Sequence, residues 1–198
     1  MIELKENDLL FAKVDHNAII PTKEYENAGY DIYACFDEDY IIIPGHETKL
    51  IPTGIAAAVS DKYYLQVHER GSTGSKGMKY GAGVVDSSYR GEIFVCINNV
   101  NLNDIIISKL DKKELFDKYG ETDYLTGERF IKYGEDEFDL VFEEDDVYYK
   151  PIIYPYSKAI AQLVVHEVPV MNVKEISYEE LKEIPSKRGT GALGSSGK

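Results

Sequence analysis

Tryptophan is absent from this chain of 198 residues, and it has only two cysteines, three methionines and four histidines. Two cysteines do not make a disulfide framework. Cys35 and Cys96 each sit in an apolar alternating run and are expected to be small buried hydrophobes in a reducing compartment. His16, His46, His68 and His166 are scattered, with no HxxxH or HxH pair, which speaks against a structural metal site or a histidine-based triad. No GxSxG elbow and no GxGxxG fingerprint occurs. No apolar run approaches the roughly 20 residues that cross a bilayer as a helix. Positive charge is scarce, 22 Lys+Arg against 35 Asp+Glu for a formal net charge of −13. That disfavours a duplex nucleic-acid binder, because phosphate backbones select basic stripes. The opening MIELKENDLLFAKVDH has acidic residues and no apolar signal segment, so a cytoplasmic location is expected.

What is present is a globular composition, 43% hydrophobic and 29% charged, in a length that suits one domain with a full core. The apolar pattern is mostly period two or short continuous runs, which predicts strands over 31–36, 40–44, 49–59, 63–69, 83–85, 91–99, 104–108 and 159–168. Only two helices are expected. One is SKLDKKELFDKYG, about 108–119, ended by Gly120; the other is SYEELKEI, with Ser177 and Glu180 placed as a capping box. Many short strands with few helices imply an antiparallel sandwich or barrel. Two regions depart from this body. Residues 101–155 hold 15 Asp+Glu against 7 Lys+Arg, a net of −8, are rich in Tyr, and alternate in a way that suggests hairpins with acidic outer faces. Residues 186–198, SKRGTGALGSSGK, have little apolar content to pack and read as a mobile tail.

An acidic chain can still bind an anion where its positive groups are concentrated. Arg70, Lys76, Lys187 and Arg188 all lie beside Gly/Ser-rich stretches, ERGSTGSKG and KRGTGALGSSG. Glycine lets backbone N–H groups approach a phosphate, serine adds short donors, and arginine adds a planar fork. Two such loops suggest a polyphosphate ligand, although such loops also serve as plain turns. GSTGSK is not a P-loop, since two residues rather than four separate Gly71 and Gly74 and the sequence after Lys76 reads as strand. In GAGVVDSSYRGE (81–92), Asp86 follows two strand-like valines and precedes a turn. A carboxylate there can accept a proton from water, or simply cap the turn. Tyr89 is an aromatic plate suited to a sugar or base.

The order AGYDIYA (28–34), ERGSTGSKG (69–77), GAGVVDSSYRGE (81–92), AIAQLV (159–164) and RGTGALGSSG (188–197) resembles the five motifs of the trimeric dUTPase family. The resemblance implies an all-β antiparallel jelly roll, a β-clip barrel, made of residues 1–100 and 156–185. To this are added a small mixed α/β insertion over 101–155 and an arm over 186–198 that closes a neighbouring subunit's site. It implies hydrolysis of dUTP to dUMP and pyrophosphate in a homotrimer with shared sites. Asp86 would orient and deprotonate the attacking water. Tyr89 would pack under deoxyribose, and the backbone around Gly81 and Gly83 would pair with uracil. Arg70 with Gly71 and Ser72, and Gln162, would bind phosphates; Arg188, Gly194 and Ser195 would grip the γ-phosphate while Leu193 covers uracil. Mg²⁺ would be held by the substrate phosphates and waters, with Asp31 near those waters and no direct side-chain ligand.

Four departures stand out against the family pattern. Gly71 takes the place of the serine after Arg70, Ser157, Lys158 and Ala159 replace Gly-Asp-Arg, and Leu193 replaces Phe. Asp86 and Gln162 are also 76 positions apart, which implies an insertion of roughly 45–50 residues. Such an insert can be a solvated decoration or a docking surface for a regulatory protein. Alternative readings are a dCTP deaminase, or bifunctional enzyme, of the same fold, and a nucleotide-sensing regulatory protein. The strand after the motif-three turn, GEIFVCINN, has no carboxylate past Glu92 where a deaminase glutamate would lie.

Overall fold

The computed structural model describes residues 3–119 and 151–190, and between them the strands 130–133, 137–140, 142–144 and 147–149. It falls into two units, 1–168 and 169–198. The first is almost all strand. Its opening strands are β1 (Leu9–Lys13), β2 (Gly29–Ile32), β3 (Tyr40–Ile43), β4 (Thr48–Pro52), β5 (Ile55–Val59) and β6 (Tyr63–His68). A single helical turn, α1 (Gly71–Gly74), leads into β7 (Met78–Gly81), β8 (Val84–Val85), β9 (Phe94–Asn99) and β10 (Ile105–Ser108). Then come α2 (Lys112–Tyr119), the hairpin strands β11 (Phe130–Tyr133) with β12 (Glu137–Leu140) and β13 (Phe142–Glu144) with β14 (Val147–Tyr149), and finally β15 (Ile152–Pro155) and β16 (Ala161–Glu167). Among the described residues no helix is long and apolar enough to cross a membrane.

The core sheets run in the order β2-β16-β6-β8, β4-β9-β7 and β15-β10-β3, with β1 on β5. Alternation decides which side chains they bury. On β6, Leu65 and Val67 face inward; on β9, Val95 and Ile97; on β16, Ala161 and Leu163. These join Ile32, Ile43, Ile51 and Ile160 in one apolar cluster, each such side chain contributing on the order of 1.5–3 kcal/mol when fully buried. The result is the all-β architecture that the strand pattern implies, with the jelly roll that the resemblance implies.

Several expectations need correction. The run 49–59 is two strands, broken where the amides of Thr53 and Gly54 turn to the Glu92 carboxylate at 3.1 and 2.7 Å. A third helix exists, the turn α1, which is too short to show any periodicity. Cys35 is buried, and burial pushes its thiol pKa up, but Cys96 lies on the outward phase of β9 and is only half-buried.

The segment 101–155 begins and ends inside the core. β10 pairs antiparallel with β3 (Ile106 opposite Ile42) and parallel with β15 (Ile107 opposite Tyr154), and Ile105, Ile107 and Tyr154 are fully buried. Both ends of the segment thus belong to the core sheets. Its helix α2 also packs back, through Leu115 onto Ile106, Tyr40, Ile42 and Ile153. Among its described residues the second unit has one helix, α3 (Tyr178–Glu183), started by the expected capping box. The Ser177 hydroxyl accepts from the Glu180 amide at 3.2 Å, and the Glu180 carboxylate accepts from the Ser177 amide at 2.8 Å.

Candidate active site

Two cavities hold the motif residues of the first unit, and they share no lining residue. The first, about 250 Å³, lies where β8 and the turn after it meet the outward face of β4 and β9. Asp86 stands at its edge, exposed, and its carbonyl closes a turn by accepting from the Tyr89 amide at 3.0 Å. The Tyr89 ring, 46% exposed, is pinned by its hydroxyl, which donates to the Glu92 carbonyl at 2.9 Å. Ala82 and Val84 line the cavity at the 81–84 turn, with Gly81 and Gly83 flanking it. Gly83 is needed for a close approach. Its carbonyl accepts from Val67 N at 2.8 Å, and a Cβ there would lie 2.6 Å from Gln66 Nε2 and 2.8 Å from Val67 O.

The apolar remainder of this lining was not singled out in the sequence. Leu50, Phe94 and Cys96 come from facing positions of β4 and β9, where Leu50 pairs with Cys96. Their signal was alternation: in FVCINN the inward residues are Val95, Ile97 and Asn99, which leaves Phe94 and Cys96 outward on a face that would ordinarily be polar.

The second cavity, about 440 Å³, is polar and is formed by residues 27–29 and Asp31 with Arg70, Gly71, Ser72 and Gln162. Asp31 of β2 sits opposite Gln162 of β16. The Arg70 guanidinium is held on three sides. Nε meets Asp31 Oδ1 at 2.8 Å, Nη2 meets Oδ2 at 3.0 Å, and Nη1 donates to the Ala159 carbonyl at 3.3 Å. Asp31 thus takes two of the five guanidinium N–H groups and Ala159 a third, and Arg70 lines the cavity together with Asn27, the exposed Gly71 and Ser72 and the Gln162 amide. Gln162 Nε2 spends one N–H on the Glu69 carbonyl at 2.7 Å and retains a second. Thr73, fully buried, accepts from the Arg70 amide through its hydroxyl at 3.1 Å and so fixes the start of α1. A cavity of this kind, with donors on its walls and a balanced internal ion pair, suits a phosphate chain.

The structure thus brings Asp86 and Tyr89 together, and separately Asp31, Arg70, Gly71, Ser72 and Gln162. Arg188 belongs to the second unit, its amide 3.3 Å from the Ser186 hydroxyl. Leu193, Gly194 and Ser195 lie outside the described residues. Glu92 also lines the first cavity, and one of its carboxylate oxygens receives the amides of Thr53 and Gly54. Among the described residues no group of three His, Cys, Asp or Glu side chains could hold a metal ion directly.

The dUTPase family model matches residues 15–112. The deoxyuridine 5′-triphosphate nucleotidohydrolase of the yeast Debaryomyces hansenii is 30% identical over 184 residues, 92% of this chain and 82% of that protein. The chain belongs to the dUTPase family. Its fold is shared with the dUTPase of Staphylococcus bacteriophage 80alpha, solved with dUpNHpp, at a TM-score of 0.64 and 23% identity over 97% of this chain and 99% of that one. It is shared also with a dUTPase of phage phi11 of S. aureus, whose structure has a coordinated structural Mg(II) ion, at a TM-score of 0.57 and 20% identity over 87% and 99% of the two chains. The family match takes in β10, in agreement with its place in the core.

Proposed function

We propose that this chain hydrolyses dUTP to dUMP and pyrophosphate, with Asp86 as the general base. The observation that carries the reading is an exposed carboxylate, Asp86, beside a pinned aromatic plate, Tyr89, on one small cavity of a dUTPase-family chain. Uracil enters against the backbone of the 81–84 turn, and Tyr89 lies under the deoxyribose, leaving no room for a 2′-hydroxyl. Asp86 takes a proton from water as the water oxygen attacks the α-phosphorus in line. The bond from the α-phosphorus to the bridging oxygen breaks, and its electron pair leaves on pyrophosphate. Donors at Gly71, Ser72 and Gln162 stabilise that growing charge, and Arg188 with Leu193, Gly194 and Ser195 closes over the nucleotide.

Mg²⁺ fits this donor set. Both Asp31 oxygens already receive from Arg70, so Asp31 would hold metal-bound water rather than the ion. When bound, the ion neutralises phosphate charge. The two cavities with no lining residue in common support a site completed between copies of the chain, in a homotrimer. The stretch between β10 and β15, within a segment of net charge −8, would offer a basic regulatory partner an acidic surface.

Pyrophosphate release with dUTP, dTTP, dCTP and UTP, beside the Asp86→Asn protein, tests the reading. Turnover of dUTP alone, lost in the variant, is expected. Ammonia release from dCTP would instead indicate a deaminase, which Glu92, tied to Thr53 and Gly54, is poorly placed to serve.

A further inference from the structure

The two residues before β16 turn their carbonyls to phenols, that of the buried Tyr154 and that of the half-buried Tyr80. Tyr154, 1% exposed, donates to the Ala159 carbonyl at 2.8 Å, and Tyr80 donates to the Ile160 carbonyl. Burial pushes both phenols up, so they stay protonated and act as donors. A fully buried tyrosine in place of phenylalanine is worth having only if its hydroxyl has a partner. Here the partner is a carbonyl that Arg70 shares. Arg70 Nη1 stands 3.3 Å from Ala159 O, long for an N–H···O bond, and the phenol at 2.8 Å is the tighter partner that sets where the carbonyl sits.

We infer that Tyr154 is a positioning residue for phosphate binding: its hydroxyl fixes the Ala159 carbonyl, and through it the Arg70 guanidinium, so that the Gly71–Ser72 turn stays open to the phosphate chain. Tyr154 lies on β15, fixed opposite Ile107 of β10, outside every motif that the sequence presents. Without the hydroxyl, the carbonyl loses its tighter partner, and the Arg70 Nη1–H loses a fixed acceptor on the side of the guanidinium that Asp31 does not hold. The inference rests on the proposed reaction for the identity of its ligand.

The test compares Tyr154→Phe with wild type and with Tyr156→Phe. Tyr156 is half-buried against Phe36, and its hydroxyl lies by Cys35 and the Phe36 backbone rather than by the polar cavity. Titration with inorganic pyrophosphate should show an affinity lowered about tenfold in Tyr154→Phe, the effect of one misplaced charged donor set. Its KM for dUTP should rise by a similar factor, with kcat within about twofold of wild type. Inhibition by deoxyuridine, which has no phosphate, should be unchanged, and Tyr156→Phe should match wild type in all three. A purely structural Tyr154 would lower the unfolding temperature and leave pyrophosphate affinity and KM alone, which would overturn the inference. So would equal weakening of deoxyuridine, or a wild-type protein that binds no pyrophosphate. If wild-type protein binds pyrophosphate but leaves dUTP intact, the proposed reaction fails while the pyrophosphate comparison still decides Tyr154.

Discussion

Replacing Gly29 by alanine should damage both the sheet and the polar cavity. Gly29 opens β2 opposite Val164, and a Cβ there would lie 2.3 Å from Gln162 Oε1, 2.8 Å from its Cδ and 2.9 Å from its Cβ. The amide end can swing away, but Gln162 Cβ is fixed by the β16 backbone, so the two strands must also part. Overpacking of this kind costs about 1–3 kcal/mol. Expelling the amide breaks the 2.7 Å bond from Gln162 to Glu69, which adds about 0.5–1.5 kcal/mol. At about 2–4 °C per kcal/mol for a chain of this size, the midpoint in calorimetry should fall by between about 3 and 18 °C. Pyrophosphate affinity should fall with it, because Gln162 borders the cavity. Gln162→Ala removes Oε1 and Cδ, so it should cost less in the Gly29→Ala background than in wild type. A midpoint within about one degree of wild type, or strictly additive losses, would refute the argument.

Two further perturbations test the scaffold around the site. Burial pushes the Asp104 carboxyl pKa up, against the lowering effect of the Gly45 amide that donates to it at 2.8 Å. A raised folded pKa means that the fold holds the proton more tightly than the unfolded chain does. Its stabilisation is present below the carboxylate range and is lost as pH rises through the folded value. Asp104→Asn keeps an acceptor for Gly45, so it should raise the unfolding midpoint near neutral pH and lose that advantage in acid; a gain independent of pH would contradict this. Glu92→Ala orphans the amides of the buried Thr53 and Gly54 and should cost on the order of 2 kcal/mol in urea unfolding, largely restored by Glu92→Gln. Loss of dUTP turnover by Glu92→Gln as deep as that by Asp86→Asn would argue that Glu92 has a chemical role.

Much of the barrel is legible in alternation, because a strand with one face in the core declares that face every second residue. β6, β9 and β16 show it plainly. β1 shows it more faintly: Leu9 and Phe11 pack against the core while Leu10, Ala12 and Lys13 are exposed, but the apolar Leu10 and Ala12 on the outward phase blur the alternation of LLFAK. The Ser177–Glu180 box is legible because both halves of the cap lie within four residues. The pairing of β3 with β10 and of β10 with β15 joins positions far apart in the chain, and no local pattern marks it. For that reason the motif spacing set the insertion boundary at 101–155, although Ile105, Ile107 and Tyr154 are core residues.

The candidate site divides in the same way. Motif order places Asp86 with Tyr89, and Arg70 with Gln162 and Asp31. It says nothing of what holds them, because the partners are main-chain groups: the carbonyls of Glu69, Glu92 and Ala159. Nor does it show that two of the Arg70 N–H groups already meet Asp31.

The central claim is that water activated by Asp86 attacks the α-phosphorus of dUTP. Hydrolysis in ¹⁸O-labelled water, with the products resolved by mass, tests it directly. Label in dUMP and none in pyrophosphate, with neither product formed by Asp86→Asn, is the predicted result. Label in pyrophosphate, or undiminished turnover by Asp86→Asn, would contradict the account.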